Sequence, residues 1–283
     1  VMDSSNYMER MIFGVCCGIY MSNILFLSVG GGGWPGAMAE LKEEGHYIVG
    51  TDCREEHHGK YLPDEFYQVP RYEAREAYVE AIREVVETEE IDYITGAHTR
   101  EFIILQEEGF DGVLASDPDT LRATEDKHET YEQFEDISPD FARVETTQEL
   151  YEAAERLGYP DREICIKPCI SSGGRGFRRI VEDYDKTEIV FEHKANPYIT
   201  LDELAELDFP PLVMMEFLEG DIYHVDILAD EGEIIKAVPS VRIEEKWGYG
   251  FSLECVDKPE YVEMAERVVE ELNLDHNCFI QIK

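Results

Sequence analysis

The sequence predicts an α/β protein in which a doubly wound parallel sheet is followed by a region of mixed α+β structure. Over residues 21–116, apolar runs of strand length alternate with segments of helical apolar spacing, which is the pattern of a parallel sheet with crossover helices. After Asp117 and Pro118 this alternation stops, and strands separated by turns follow one another. A length of 283 residues with 43% hydrophobic content is enough to form a core in both regions.

The first region begins with a continuous apolar run, residues 23–29 (NILFLSV), which predicts a buried strand. A glycine-rich turn, residues 30–36 (GGGGWPG), joins it to an amphipathic helix over residues 37–44. The spacing of apolar residues then predicts further strands at 46–50, 65–69, 91–95 and 112–115, and further helices at 74–88 and 100–108.

The second region begins with helices and continues as strands. Helices are predicted near residues 121–122, at 127–134 and at 148–157. The last of them has Thr146 or Thr147 as its N-cap. Apolar strands separated by turns are predicted at 164–167, 177–181, 212–217, 223–229 and 233–239. A long amphipathic helix over 258–272 precedes a final strand at 278–282.

Charge excludes some classes of partner. The chain has 63 acidic and 25 basic residues, a formal net charge of −38 at pH 7. Such an excess opposes binding to the phosphate backbone of nucleic acids and to anionic lipid surfaces. We therefore expect no nucleic-acid partner and no membrane role, and we interpret the excess as a halophile-like acidic surface hydrated in a salt-rich cytoplasm.

Cysteine usage and the first residues also predict a cytoplasmic protein. The seven cysteines include no C-x-x-C pair, which indicates reduced thiols. The apolar stretch 11–20 is too short to span a bilayer and lacks the basic segment of a signal peptide. Met21 stands directly before the first predicted strand, so residues 1–20 are an N-terminal extension that is either native or placed ahead of a translation start at Met21.

The glycine turn after the first strand resembles a dinucleotide-binding fingerprint, with Asp52 about twenty residues later where a ribose ligand is expected. The spacing is not G-x-G-x-x-G, however, and Trp34 and Pro35 add bulk where a pyrophosphate would approach. A loop that binds a small acceptor molecule is therefore the favoured interpretation, and a tight turn or a nicotinamide site is the alternative.

A second glycine cluster follows the strand at 164–167, with Lys167 at the strand's end. Its tip is flexible and rich in main-chain donors, because it contains Ser171, Ser172, Gly173, Gly174 and Gly176. Such a loop can close over phosphate oxygens whose charge Lys167 neutralises, although an ordinary glycine hairpin is the alternative. It is not a Walker A loop, because no G-K-[ST] follows.

Several other residues form a recognisable pattern together with Lys167 and its glycine loop. Asp126 and Lys127 open a predicted helix, Glu216 ends the apolar run 214–218, and Arg242 and Gln281 follow. Together with Lys167 and its glycine loop, this set resembles the ATP-grasp superfamily. The similarity is greatest to ligases like the large chain of carbamoyl-phosphate synthase with a single ATP-grasp unit, and it covers residues 22–283.

The resemblance implies a domain order: a pre-ATP-grasp domain at 21–116, a first ATP-grasp part with the glycine lid at 117–212, and a C-terminal lobe at 213–283 that is truncated. In the family, the pre-ATP-grasp domain lines the acceptor site and does not hold nucleotide. The candidate acceptor-binding residues are then Gly32, Asp52, His98 and Glu101.

The resemblance also implies roles for the ATP-grasp residues. Lys127 and Lys167 would contact ATP phosphates under a lid formed by residues 171–176. The segment Glu216, Phe217 and Leu218 would be the hinge that recognises adenine. Ile222 stands where relatives often have a ribose-binding glutamate. His224 would substitute for it, or is merely an exposed strand histidine, and Arg242 would stabilise the transferred phosphate.

Magnesium is the second implied cofactor. The family holds Mg²⁺ with a strand glutamine followed by a glutamate and a Glu-x-Asn pair, and the resemblance places Gln281 in the first position. The remaining ligands would lie beyond Lys283. We therefore expect the chain as printed to bind ATP weakly and not to turn over.

The activity implied is that of an ATP-dependent carboxylate-amine ligase that forms a C–N bond through an acyl-phosphate. Its partners would be a small-molecule carboxylate and an amine, and a homodimer is compatible with the sequence. The first alternative is an inactive ATP-binding module. The second is an NAD-dependent oxidoreductase that uses the first glycine turn.

Overall fold

The computed structural model describes residues 21–31, 34–192, 196–246 and 249–283. The predictions made for residues 1–20 and for Gly32 lie outside these ranges. The chain divides into two compact units, the first ending at Pro118 and the second beginning at Asp119. Within the described ranges, no helix is both long and apolar enough to span a bilayer.

The first unit contains the predicted parallel sheet. Its four strands are β1 (Asn23–Phe26), β2 (Tyr47–Asp52), β3 (Glu65–Gln68) and β4 (Tyr93–Thr95), in the order β3-β2-β1-β4. All three strand pairings are parallel, which confirms the predicted sheet. The connecting helices are α1 (Trp34–Glu43), α2 (Arg75–Thr88) and α3 (Thr99–Glu107). A 3₁₀ turn at His58–Tyr61 lies between β2 and β3.

The spacing of apolar residues places α2 correctly, since Tyr78, Ile82 and Val85 are all buried. One predicted strand of the first unit is wrong. Residues 112–115 form only a single bridge, between Val113 and Ile94. The main-chain N–H of Ala115 donates to the carbonyl of Val113, 3.1 Å away, and this tight turn ends the pairing.

The first lobe of the second unit has a five-stranded sheet in the order β5-β9-β6-β7-β8. The strands are β5 (Phe141–Val144), β6 (Ile164–Pro168), β7 (Arg178–Ile180), β8 (Tyr198–Ile199) and β9 (Leu212–Glu216). The helices are α4 (Pro118–Glu125), α5 (Lys127–Gln133), α6 (Thr147–Arg156), α7 (Lys186–Glu192) and α8 (Leu201–Ala205), and a 3₁₀ turn spans Glu135–Ile137. The sequence did not predict β5, β8, α7 or α8.

A capping box begins α6. Thr146 is the N-cap, because its hydroxyl accepts from the N–H of Glu149 at 3.2 Å and the Glu149 carboxylate accepts from the N–H of Thr146 at 3.0 Å. The helix buries Leu150, Ala153 and Ala154 against the sheet, where they join the core of this lobe.

The second lobe is an antiparallel sheet in the order β12-β11-β10-β13, packed against α9 (Pro259–Leu272). Its strands are β10 (Tyr223–Asp230), β11 (Glu233–Lys246), β12 (Tyr249–Cys255) and β13 (His276–Ile282). The strand β11 continues beyond Pro239, where the sequence predicts its end, and it pairs with β12, which was not predicted. Along β10, Val225, Ile227 and Ala229 are buried while Asp226 is exposed, so one face of the sheet remains available.

Candidate functional site

Helix α5 positions the first of the predicted phosphate-binding lysines. Asp126 caps this helix, since its carboxylate accepts from the N–H of His128 at 2.8 Å. Lys127 follows at the first helical position, and its Nζ donates to the carbonyl oxygens of Ser171 at 2.6 Å and Cys169 at 3.3 Å. The ammonium group therefore lies at the base of the glycine loop.

Lys167 reaches the same place from the end of β6. Its Nζ donates to the hydroxyl of Tyr131 and lies 4.8 Å from the centre of that ring. Burial, and after it the positive charge of Lys167, lowers the pKa of Lys127 below its usual value. The structure thus brings together two lysines that are forty residues apart in the sequence, and an anionic ligand between them would relieve their repulsion.

The glycine loop joins β6 to β7 as predicted. Gly173, Gly174 and Gly176 have φ angles of +62°, +68° and +79°, which side chains disfavour. A Cβ on Gly176 would lie 2.7 Å from the Cδ of Pro168, so this position also lacks space for one. The Ser171 hydroxyl donates to the carbonyl of Pro168 at 3.3 Å, and Ser172 accepts from Arg175 at 2.6 Å.

The predicted adenine hinge follows β9. The carboxylate of Glu216 forms an ion pair with Arg162, at 2.7 Å, so this carboxylate is already engaged. The N–H of Phe217 donates to the carbonyl of Glu163 at 2.9 Å, and the Phe217 ring lies 4.1 Å from the guanidinium of Arg179. Leu218 is half-buried directly after the strand.

The second lobe places three predicted residues on its available sheet face. His224 pairs with Gln281 of β13 and with Ser240 of β11 in the strand register. The Nε of Arg242 donates to the Nε2 of His224 at 2.7 Å. Burial, and then the charge of Arg242, lowers the pKa of His224. Ser240, which the sequence analysis did not select, is buried there with no partner for its hydroxyl.

The predicted magnesium ligand Gln281 lies on this same face. Gln281 offers one amide oxygen, and Asp226 offers a carboxylate on the neighbouring strand. Among the residues that the structure describes, no three histidines, cysteines or carboxylates form a cluster that could hold a metal.

In the first unit, the carboxylate of Asp52 accepts hydrogen bonds from within the protein. Its carboxylate accepts from the N–H of Gly30 at 2.8 Å and from the Nε and N–H of Arg54 at 3.1 and 2.9 Å. Burial alone would raise the pKa of Asp52, but these hydrogen bonds outweigh burial and the pKa lies below its ordinary value. Both oxygens are engaged, which argues against a ribose-binding role for this residue.

Glu101 is a buried carboxyl group in the first turn of α3. Its oxygens accept from the hydroxyls of Ser28 at 2.7 Å and Tyr78 at 2.8 Å, neither of which the sequence analysis selected. Burial raises the pKa of Glu101, and the hydrogen bonds from Ser28 and Tyr78 offset part of this increase. His98 itself is exposed and precedes the helix.

The wild-type chain is expected to lose stability as the pH rises above about 4.5, the ordinary pKa of this group. The Glu101→Gln variant should not show this loss. Because the folded state holds this proton more tightly than the unfolded state, stability falls by at most about 1.4 kcal/mol per pH unit until the raised pKa is passed. Thermal unfolding of both chains from about pH 2 to 8 measures the difference.

Asp52→Asn is the matched comparison, because the contribution of Asp52 to stability changes with pH in the opposite direction. The folded-state pKa of Asp52 is depressed, so its stabilising contribution is present above the ordinary value of 3.8 and is lost as the pH falls. If the difference between Glu101→Gln and wild type does not change with pH, the buried carboxyl is not the source of the dependence.

Comparison with known proteins finds a matching family model and similar structures. Residues 208–283 match the model of a family described as "ATP-grasp in the biosynthetic pathway with Ter operon". An N5-carboxyaminoimidazole ribonucleotide synthetase in complex with ADP superposes with a TM-score of 0.66 at 16% identity, over 93% of this chain and 67% of that one. The chain has the ATP-grasp fold. This confirms the fold class and the superfamily resemblance that the sequence predicts.

Two further ATP-grasp structures are similar. The L-amino acid ligase from Bacillus licheniformis has a TM-score of 0.62 at 14% identity, over 93% of this chain and 63% of that one. The N5-carboxyaminoimidazole ribonucleotide synthetase from Thermotoga maritima has a TM-score of 0.58 at 20% identity, over 92% of this chain and 64% of that one. The chain therefore spans about two thirds of the length of these proteins. Comparison with curated proteins by sequence gave no match.

Proposed function

We propose that this ATP-grasp chain binds ATP and belongs to an ATP-dependent carboxylate-amine ligase. One observation carries the proposal: Lys127 from α5 and Lys167 from β6 meet at the base of a glycine loop. Two ammonium groups beside a loop rich in main-chain donors form an arrangement suited to the oxygens of a polyphosphate. The similar structures include a ligase and a synthetase bound to ADP, which supports the same function.

The nucleotide would lie with its phosphates between the two lysines and its base at the hinge. Phosphate oxygens would replace the carbonyls of Ser171 and Cys169 as partners of Lys127, while the glycine lid closes above them. Arg162 engages the Glu216 carboxylate, and the N–H groups of Glu216 and Phe217 donate to carbonyl oxygens of neighbouring segments. We therefore assign adenine recognition to the remaining main-chain groups of residues 216–218 and to the Phe217 ring. His224 would face the ribose.

The chemistry would proceed in two steps. An oxygen of the acceptor carboxylate attacks the γ-phosphorus of ATP, the bond to the β-phosphate oxygen breaks, and an acyl-phosphate and ADP form. An amine then attacks the acyl carbon, phosphate leaves, and the amine loses a proton. Arg242, oriented by its hydrogen bond to His224, would stabilise the charge on the transferred phosphoryl group. The acceptor-binding residues that the resemblance implies, Gly32, Asp52, His98 and Glu101, belong to the first unit.

Nucleotide choice and product formation test the proposal. Isothermal titration with Mg·ATP and with NAD(H) should detect binding of ATP alone. A screen of small carboxylates paired with amines should then reveal a pair that releases ADP. Binding of NAD(H) without binding of ATP would overturn the proposal and restore the oxidoreductase alternative.

A second candidate is an ATP-binding module without ligase activity. This candidate predicts ATP binding with no ADP release for any acceptor pair. ADP release that depends on both a carboxylate and an amine would exclude it.

The glycine lid should become protected from amide exchange when nucleotide binds. Residues 171–176 form few hydrogen bonds of their own, and the glycines allow the loop to move. We expect slower hydrogen exchange in this segment with saturating Mg·ATP, measured by mass spectrometry. The turn at residues 231–232 is the internal reference, and equal lid exchange with and without nucleotide would identify a structural hairpin.

A further inference from the structure

Tyr131 contacts Lys167 through its hydroxyl group. This hydroxyl accepts a hydrogen bond from the lysine Nζ, which lies 4.8 Å from the ring centre. Neither the sequence motif nor the family resemblance selected this tyrosine. The tyrosine therefore supplies the oxygen of a hydroxyl dipole to the lysine ammonium.

The tyrosine is itself held in place. It stands four residues after Lys127 on α5, so both side chains project from the same face of this helix. Its ring lies 5.5 Å from the ring of Phe141, and it packs against the buried cluster of Cys165, Cys169, Val213 and Met215. A ring fixed by packing gives the lysine a fixed direction.

The site requires such a contact because Lys127 and Lys167 repel one another when no anion lies between them. Lys127 is restrained by two carbonyl oxygens of the loop, at 2.6 and 3.3 Å. The part of the chain that the structure describes gives Lys167 no carboxylate within salt-bridge distance. Tyr131 therefore restrains the ammonium group of Lys167. It does so without adding a negative charge, which would repel a phosphate group.

We propose that Tyr131 is a positioning residue, which holds the ammonium group of Lys167 ready for a nucleotide polyphosphate. The proposal rests on the proposed ATP site and deepens it by naming a residue that acts through another. Its consequence is specific. Loss of the hydroxyl should weaken ligands that carry phosphates and leave ligands without phosphates unaffected.

The test measures binding of Mg·ATP and adenosine by isothermal titration to the full chain and its variants. Tyr131→Phe keeps the ring and removes the hydroxyl, and we expect Mg·ATP binding two- to tenfold weaker with adenosine binding unchanged. Combined with Lys167→Met, Tyr131→Phe should have no further effect, because its partner is gone. The matched control is Tyr151→Phe, which removes a hydroxyl bonded to Asp202 at 2.8 Å in the same unit and should change neither ligand.

Each other outcome overturns the proposal in a distinguishable way. If Tyr131→Phe weakens ATP and adenosine equally, or still weakens ATP in the Lys167→Met background, the tyrosine supports the lobe and does not position the lysine. If Lys167→Met weakens ATP but Tyr131→Phe does not, the positioning role fails and the ATP site stands. If the wild-type chain binds no Mg·ATP, the proposed function fails together with it.

Discussion

Lys167→Met is expected to weaken Mg·ATP binding by about 10- to 150-fold. A charge-assisted contact between an ammonium group and a phosphate oxygen contributes roughly 1.5–3 kcal/mol, and each 1.4 kcal/mol is about a factor of ten in affinity. Lys167 stands at the end of β6 beside the glycine lid, where Tyr131 accepts a hydrogen bond from its Nζ. Isothermal titration of wild type and variant measures the ratio.

Lys258→Met is the matched control for this loss of charge. Lys258 precedes α9 and pairs with Glu260 on the surface, and the same substitution there should leave the affinity for ATP within about twofold. Lys127→Met should resemble Lys167→Met, because both ammonium groups lie at the loop. An affinity for ATP that is unchanged by both lysine substitutions would show that the nucleotide lies elsewhere.

The elements that could be predicted from the sequence are those with strong local patterns. The helix α2 was predicted from the spacing of its buried residues, and the start of α6 from an N-cap at Thr146 or Thr147. The four-residue strand β5 could not be predicted in this way. It is a strand because it pairs with β9, seventy residues later in the sequence, and no pattern within four residues encodes that pairing.

The same distinction between local patterns and distant contacts applies to the candidate site. The lysines and the glycine lid are local motifs, so the sequence was sufficient to select them. The partners that define their environment come from distant positions, as when Arg162 engages Glu216, or Ser28 and Tyr78 hold Glu101. Tyr131 could be predicted in part, since it lies one helical turn after Lys127. Its contact with Lys167 could not, because it depends on how α5 packs against β6.

Gly59→Ala is expected to destabilise the first unit by roughly 3 kcal/mol, because the added methyl group has no room. Gly59 lies in the 3₁₀ turn after β2, and a Cβ there would lie 1.9 Å from the carbonyl oxygen of Val29 and 2.6 Å from its carbon. These are main-chain atoms of the segment that leads from β1 into the glycine turn, so no side-chain rotation can relieve the overlap. Thermal unfolding of this unit should show a midpoint roughly 12–24 °C lower.

Gly36→Ala is the control that separates the clash from the general effect of replacing a glycine. Gly36 lies in α1, and a Cβ there would meet no atom within 4 Å. Alanine has the higher helix propensity, so this substitution should be neutral or stabilise the unit by up to about 1 kcal/mol. If both alanine variants unfold at the wild-type temperature, the 3₁₀ turn does not pack as closely against the segment after β1 as the structure describes. The glycine turn would then be free to adopt other conformations, and the engagement of Asp52 by Gly30, which argues against a dinucleotide site, would lose its support.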